Sequence, residues 1–221
     1  MRTIAIIPAY NEEKTIAEVL TNTRPFIDQI IVVNDGSHDR TAEIAQAHGA
    51  VVVSHVINRG LGASIGTGFE MAKRLGADVV VTLDADGQHN PSEIPLFIQA
   101  IEKGADVVIG SRMLKRTGMP WYRQVANTLG NLVTFFLFGA LVTDSQSGFR
   151  AFTAYALRKI DIQTNRMEVS SELIAEARRR KLSLAEVPIK AIYTDYSLSK
   201  GQSFTVGLKT LAKLVLRRIR Q

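Results

Sequence analysis

Val79-Val80-Val81-Thr82-Leu83-Asp84-Ala85-Asp86-Gly87-Gln88 decides how the rest of the chain is read. Its apolar part is too short for a helix and rich in β-branched residues. It stops at two carboxylates and a glycine, as a buried parallel strand does when it ends at a functional edge. Asp84 and Asp86 are two residues apart, so continued strand geometry would point them to the same side. Like charges side by side repel, and a cation or several donors relieve them. With Gln88 as a third oxygen, the set consists of hard ligands that suit Mg²⁺ or Mn²⁺ rather than zinc, and a metal held this way can in turn hold a diphosphate. The alternative is turn chemistry, because Asp and Gly are common after strands.

The flanking sequence alternates in period. Thr3–Pro8 reads as a buried first strand, with Pro8 at its end because proline cannot donate to a ladder. Ile16, Val19 and Leu20 mark the buried face of a helix that runs to about Thr23. Gln29–Asn34 reads as a second strand stopped by Asp35-Gly36-Ser37; Asp39 caps the next helix, which ends at His48-Gly49. A strand over Val51–Val53, a helix from about Leu61 to Leu75, the Asp84 strand, a helix around Ile94–Lys103 and a strand over Asp106–Gly110 follow. Such alternation predicts an α/β domain with a mostly parallel sheet, in which ligands bind outside the carboxyl ends of the strands. The polar clusters fall there: Pro8-Ala9-Tyr10-Asn11-Glu12, Asn34-Asp35-Gly36-Ser37, Asp84-Ala85-Asp86 and Gly110-Ser111-Arg112.

Composition narrows the classes. The 221 residues suffice for one substantial core, and no linker, repeat or low-complexity tract argues for a second domain. The absence of cysteine excludes disulfides and thiol chemistry, and the four scattered histidines lack zinc-hydrolase spacing. The first strand lacks the regions of a signal peptide, and the longest apolar run, Leu132–Val142, falls short of the roughly 20 residues that span a bilayer. From Arg178 to Gln221, eleven Lys and Arg stand against Glu186 and Asp195, a net +9 that leaves −3 on the first 177 residues. The basic character belongs to the C-terminal fifth.

Pro-Ala-Tyr-Asn-Glu, Asn-Asp-Gly-Ser, the Asn58–Gly68 glycine series, Asp-Ala-Asp-Gly-Gln, Gly-Ser-Arg and Ser147-Gly148-Phe149-Arg150, in that order, resemble an inverting glycosyltransferase of family 2 with the GT-A fold. Within it, the chain is similar to the dolichyl- or polyprenyl-phosphate mannose and glucose synthases. The resemblance covers the chain up to about Lys200 and implies a Rossmann-like, mostly parallel sheet flanked by helices, in one domain spanning 1–221.

The resemblance also implies roles. Pro8, Tyr10, Glu12 and Asp35 would line the base and ribose pocket of a nucleotide-sugar donor. Asp86 would ligate Mg²⁺ or Mn²⁺ directly, Asp84 would meet the ribose or reach the metal through water, and Gln88 would complete the set. Arg112 and Arg123 would face the acceptor phosphate with Asn127 one helical turn on, since the arginine fork binds phosphate bidentately. Lys200 would meet the donor diphosphate, although Thr194 and Ser197 replace the family's Arg and Gly before it. Helix 1 offers a competing structural role for Tyr10 and Glu12, Ser37 reads as a local cap, His89 as a bystander, and Gly60 and Gly62 as permitting close approach of a helix N-terminus to the site.

A lipid monophosphate acceptor is already anionic and needs no general base, whereas a hydroxyl acceptor would call on Asp144, Glu168 or Glu172. Single displacement with inversion is therefore expected, with mannose from GDP-mannose as the sugar, and with UDP-glucose, UDP-N-acetylhexosamine or a glycolipid hydroxyl acceptor as alternatives. Phe204, Leu208, Leu211, Val215 and Ile219 recur at helical spacing opposite Lys209, Lys213, Arg217 and Arg220, so 203–220 reads as a basic amphipathic helix suited to a membrane interface. Peripheral attachment to the cytoplasmic side of a membrane and a separate transmembrane partner are thus expected. A basic membrane-surface module without enzymatic activity is the alternative; nucleic-acid binding is not expected, since the 7% aromatic residues lie mostly in apolar runs.

Overall fold

In a computed structural model described over residues 1–114, 128, 142–190 and 192, the β-branched runs form one 7-stranded sheet. Its strands are β1 (Thr3–Ala9), β2 (Gln29–Asn34), β3 (Val51–Ser54), β4 (Val79–Thr82), β5 (Val107–Ser111), β6 (Arg150–Thr153) and β7 (Leu184–Pro188). They lie in the order β3-β2-β1-β4-β6-β5-β7. All neighbours are parallel except β6, which is antiparallel to both β4 and β5. The reversal matters for function, because it brings the start of β6, rather than its end, to the edge where the parallel strands finish. Arg150 is thereby set between Thr82 of β4 and Ile109 of β5.

Both faces of the sheet are covered, which is why its central strands read as continuous apolar runs rather than alternating ones. Helices α1 (Ile16–Thr23), α2 (Thr41–Ala47) and α4 (Ile94–Glu102) pack on one face, where Ile16, Leu20, Ala45 and Phe97 meet Ile7, Val32 and Val81. Helices α3 (Leu61–Arg74), α5 (Ala154–Lys159) and α6 (Val169–Arg179) cover the other, where Phe69 and Leu173 join Ile4, Ile6 and Phe152. Phe69 and Phe152 meet edge to face with ring centroids 5.0 Å apart. Gly68 lets α3 close on β1: a Cβ there would lie 2.4 Å from Ile6 Cγ2.

Two expectations shift. Pro8 does not end its strand but lies inside β1, in register with Val33, and β1 continues to Ala9. Strand geometry does not persist to Asp84 either; β4 ends at Thr82, so the two carboxylates are arranged by the loop that follows. Among the described residues no helix is long and apolar enough to cross a membrane. The expected 203–220 helix, the 132–141 part of the apolar run, Arg123, Asn127 and Lys200 lie outside the described residues.

Candidate active site

The site forms where the loops after β1, β2 and β4 meet the segment before β6. The first two loops are sewn together by backbone donors. Asn11, at φ 55°, donates its N–H to Ser37 Oγ (3.0 Å) and accepts at Oδ1 from His38 N–H (2.9 Å). Ser37 N–H donates to Asn34 Oδ1 (3.1 Å), so this serine joins two loops as well as capping its own turn. Glu12 donates its N–H to Thr41 Oγ1 (2.8 Å), while its main-chain carbonyl accepts from the Ile16 N–H (2.9 Å) at the start of α1. Tyr10 stands exposed at this edge, and Pro8 borders a small crevice with Leu61, Thr82, Asp84 and Arg150.

Asp35 is committed to the backbone. Its Oδ1 accepts from Arg59 N–H (2.9 Å) and from His55 Nδ1 (2.7 Å), and its Oδ2 from Gly60 N–H (2.7 Å). His55 Nε2 in turn meets the Thr67 hydroxyl at 2.9 Å. A carboxylate has about four acceptor positions, so a base or ribose donor would have to join this set rather than replace it. Gly60 N–H brings the start of α3 to Asp35, and both Gly60 and Gly62 have a second neighbour. A Cβ at Gly60 would lie 2.4 Å from the Asn165 carbonyl, and one at Gly62 would meet the Thr164 carbonyl. The two glycines admit the 164–165 segment, whose Asn165 carbonyl accepts from Ala63 N–H (3.2 Å) in the first turn of α3.

The acidic pair is held from three sides. Gly148 seats Asp84: a Cβ on that glycine would fall 2.4 and 2.6 Å from the two Asp84 oxygens, and Thr82 Oγ1 fixes the glycine by donating to its carbonyl (2.7 Å). His89 is no bystander. It is buried and stacked on Phe149, and its Nδ1 accepts the Asp84 N–H (3.2 Å). Burial, against the pull of Asp86, pushes His89 down to about 4, so its ring is neutral near pH 7. Gln88 donates its N–H to Asp86 Oδ1 (3.0 Å) and its side-chain amide to Oδ2 (2.5 Å).

Both carboxylates are nevertheless short of compensation. Desolvation raises the Asp84 pKa despite Arg112 and Arg150, and desolvation followed by the charge of Asp84 raises that of Asp86. Among the described residues no group of three or more His, Cys, Asp or Glu could hold a metal. Mg²⁺ or Mn²⁺ is commonly held by one or two carboxylates together with substrate phosphates rather than by an all-protein cage. The two carboxylates fit such a cation as hard donors, whereas Gln88 turns its amide nitrogen, not its oxygen, to Asp86.

The neighbouring cluster is the reverse. Asp144 is fully buried and accepts from Arg112 three times: from Nε (2.6 Å), from Nη2 (2.8 Å) and from the main-chain N–H (3.1 Å). The Nε–Nη2 edge of Arg112 is thus occupied by Asp144. Arg150 is buried as well and donates to the carbonyls of Ser147 and Ser145 (2.8 Å each). Burial pulls its pKa down to about 10, with Asp144 and Asp84 opposing, so it remains charged near pH 7. Glu172 is spent on the 163–164 backbone and the Thr164 hydroxyl. Two of the three base candidates are therefore structural anchors. Three residues that shape the site were not assigned from the sequence: His89, Gly148 and Arg150. The Ser-Gly-Phe-Arg motif carried the signal for two of them.

Residues 4–163 match the sequence profile of Glycosyl transferase family 2. An uncharacterized protein of Methanocaldococcus jannaschii is 43% identical, over 97% of this chain and 91% of its own length. A UDP-N-acetylglucosamine–dolichyl-phosphate N-acetylglucosaminyltransferase of Methanococcus voltae is 39% identical over 96% of this chain and 94% of its own. A polyprenol monophosphomannose synthase of Mycolicibacterium smegmatis is 33% identical over 90% and 80%. In fold, the chain superposes on glucosyl-3-phosphoglycerate synthase of Mycobacterium tuberculosis, crystallised with Mn²⁺ and UDP, with a TM-score of 0.75 at 22% identity, covering 98% of this chain and 79% of that one.

Proposed function

The chain belongs to glycosyl transferase family 2, and we propose that this hexosyltransferase carries a sugar from a nucleoside-diphosphate donor to a polyprenyl-type lipid phosphate, with inversion, at a divalent metal held by Asp84 and Asp86. The observation that supports the reading is the placing of Asp84 and Asp86 together in the loop after β4, with Asp84 seated on Gly148, beside a fully buried Asp144 already taken by Arg112. The first feature suits a cation, and the second removes a general base from the acceptor side.

When bound, the metal supplies positive charge against the departing diphosphate. Asp84, seated on Gly148, and Asp86, gripped by Gln88, hold their oxygens in fixed places for it. Pro8, Tyr10, Glu12 and the remaining acceptor position of Asp35 form the proposed nucleoside side. Arg112 orients the acceptor phosphate, with Arg123 and Asn127 expected beside it and Lys200 on the donor diphosphate. A phosphate oxygen attacks the anomeric carbon as the bond to the diphosphate breaks, and no proton has to leave the nucleophile.

The Methanococcus voltae relative moves the favoured donor from GDP-mannose to UDP-N-acetylglucosamine. Mannose is the second reading, supported by the mycobacterial synthase and by an undecaprenyl-phosphate mannosyltransferase of Micrococcus luteus at 33% identity over 94% of this chain. Peripheral membrane contact through 203–220 and a separate transmembrane partner belong to the same proposal, because a lipid acceptor has to be met at a membrane. The test is a panel of UDP-N-acetylglucosamine, GDP-mannose and UDP-glucose with Mg²⁺ or Mn²⁺, each with and without polyprenyl phosphate, scored for lipid-linked sugar. Turnover of one donor only with the lipid phosphate is expected. Turnover with a glycolipid hydroxyl instead would overturn the acceptor.

A further inference from the structure

We propose that Asp144 is a positioning residue that keeps the Arg112 guanidinium off the Asp84–Asp86 pair, so that the pair stays open to a divalent cation. The proposal rests on the metal reading above and adds a residue to it.

The sheet brings the three groups together. Arg150 of β6 is in register with Thr82 on one side and Ile109 on the other. Asp84 follows Thr82 by two residues and Arg112 follows Ile109 by three. Their strands are two inter-strand spacings apart, about 10 Å, a gap that a long arginine side chain can largely close. The positive charge of Arg112 is felt at Asp84 and at His89, which bears on the Asp84 backbone. Released from Asp144, the guanidinium would be able to swing toward the Asp84 and Asp86 carboxylates, and an arginine fork on them would occupy the oxygens a cation needs.

Asp144 removes that option. It takes Nε and Nη2 with its two oxygens and the Arg112 main-chain N–H with one of them, which fixes both the backbone and the side-chain direction. Its burial is complete, and it comes from the segment before β6 that Arg150 holds rigid through the Ser145 and Ser147 carbonyls. A carboxylate enclosed in this way, with three donors already on it, is placed to orient an arginine and not to take a proton from a substrate.

The experiment measures Mn²⁺ binding to the purified full chain, alone and with UDP, by the electron paramagnetic resonance signal of free Mn²⁺, so no turnover is needed. Asp144→Asn should weaken Mn²⁺ binding about tenfold, a coupling ordinary for groups in contact. Arg112→Met should lose transfer but keep Mn²⁺ binding. The double variant Asp144→Asn/Arg112→Met should return to within about twofold of the parent, since replacing both members of a buried pair is often neutral for the fold. Circular dichroism melting checks that each variant folds. Unchanged Mn²⁺ binding in Asp144→Asn with transfer lost would overturn the proposal and leave Asp144 serving Arg112 on the acceptor side alone. A folded double variant as weak as Asp144→Asn would also overturn it. If the parent itself binds no Mn²⁺ with UDP, the metal reading falls, and this inference falls with it.

Discussion

Two charged clusters share one edge of the sheet and solve opposite problems. After β4, Asp84 and Asp86 sit in one loop as like charges, and burial raises both pKa values, with the charge of Asp84 adding to the rise at Asp86. Before β6, Asp144 and Arg150 are buried, and Arg112 closes on Asp144 at 2.6 and 2.8 Å. Paired and buried charge fixes geometry, whereas like charge kept together stores a demand for a counter-ion. The cluster before β6 therefore reads as scaffold and the pair after β4 as the place where a ligand is awaited.

The largest effect should come from the under-compensated pair. Asp86→Asn keeps the shape and removes one charge, and kcat/KM should fall on the order of 10²–10³ as the diphosphate loses its stabilisation. The same change should raise the Tm of the metal-free protein. A carboxylate whose folded pKa is raised binds its proton more tightly when folded, so wild type loses stability as pH rises from the unfolded value through the folded one. The Tm advantage of Asp86→Asn should thus be present above that window and vanish below it. An advantage that persists in acid, or never appears, would mean that neither burial nor Asp84 strains the Asp86 carboxylate.

The paired cluster should respond in stability before activity. Arg150→Met removes a buried positive charge from beside Asp144 and Asp84, with Arg112 remaining, and leaves two carbonyls without their donor, a loss of about 3–5 kcal/mol measurable by urea unfolding. A loss below about 1 kcal/mol would show that the segment before β6 is held by its strand pairing alone.

How far the sequence carried this distinction differs between the clusters. Asp84 and Asp86 were legible because their signal is local: a β-branched run, then two carboxylates two apart. The position at the sheet edge held although the geometry did not, since the strand stops at Thr82 and a glycine 64 residues on seats Asp84. The paired cluster was illegible for a physical reason. Arg112 and Asp144 are 32 residues apart and meet only because β6 runs antiparallel between two parallel strands, a topology that no periodicity announces. Asp144 accordingly reads as an available base in one dimension and as a sealed anchor in three. Gly60 and Gly62 are legible only in part for the same reason, because their second neighbour is the distant 164–165 backbone.

Gly148 ties the two clusters together and gives a smaller, more local test. Gly148→Ala places a methyl on the Asp84 oxygens, so the carboxylate has to turn while the buried arginines stay in place. Metal affinity should fall about 10- to 100-fold, the size of effect found when the support of a metal ligand is disturbed, with the urea midpoint nearly unchanged. Equal losses in both would mean that the glycine serves the fold rather than the carboxylate.

The smallest effect separates a structural vacancy from a functional one within the paired cluster. The Ser147 hydroxyl is buried and has no hydrogen-bond partner among the described residues, although its own carbonyl and N–H are both used. If that hydroxyl is merely tolerated, Ser147→Ala removes an unsatisfied polar group, and stability should hold or rise by less than about 1 kcal/mol with transfer unchanged. A folded Ser147→Ala protein that loses transfer would instead place the hydroxyl opposite a substrate oxygen, and the boundary between scaffold and site would then move inward from Gly148 to Ser147.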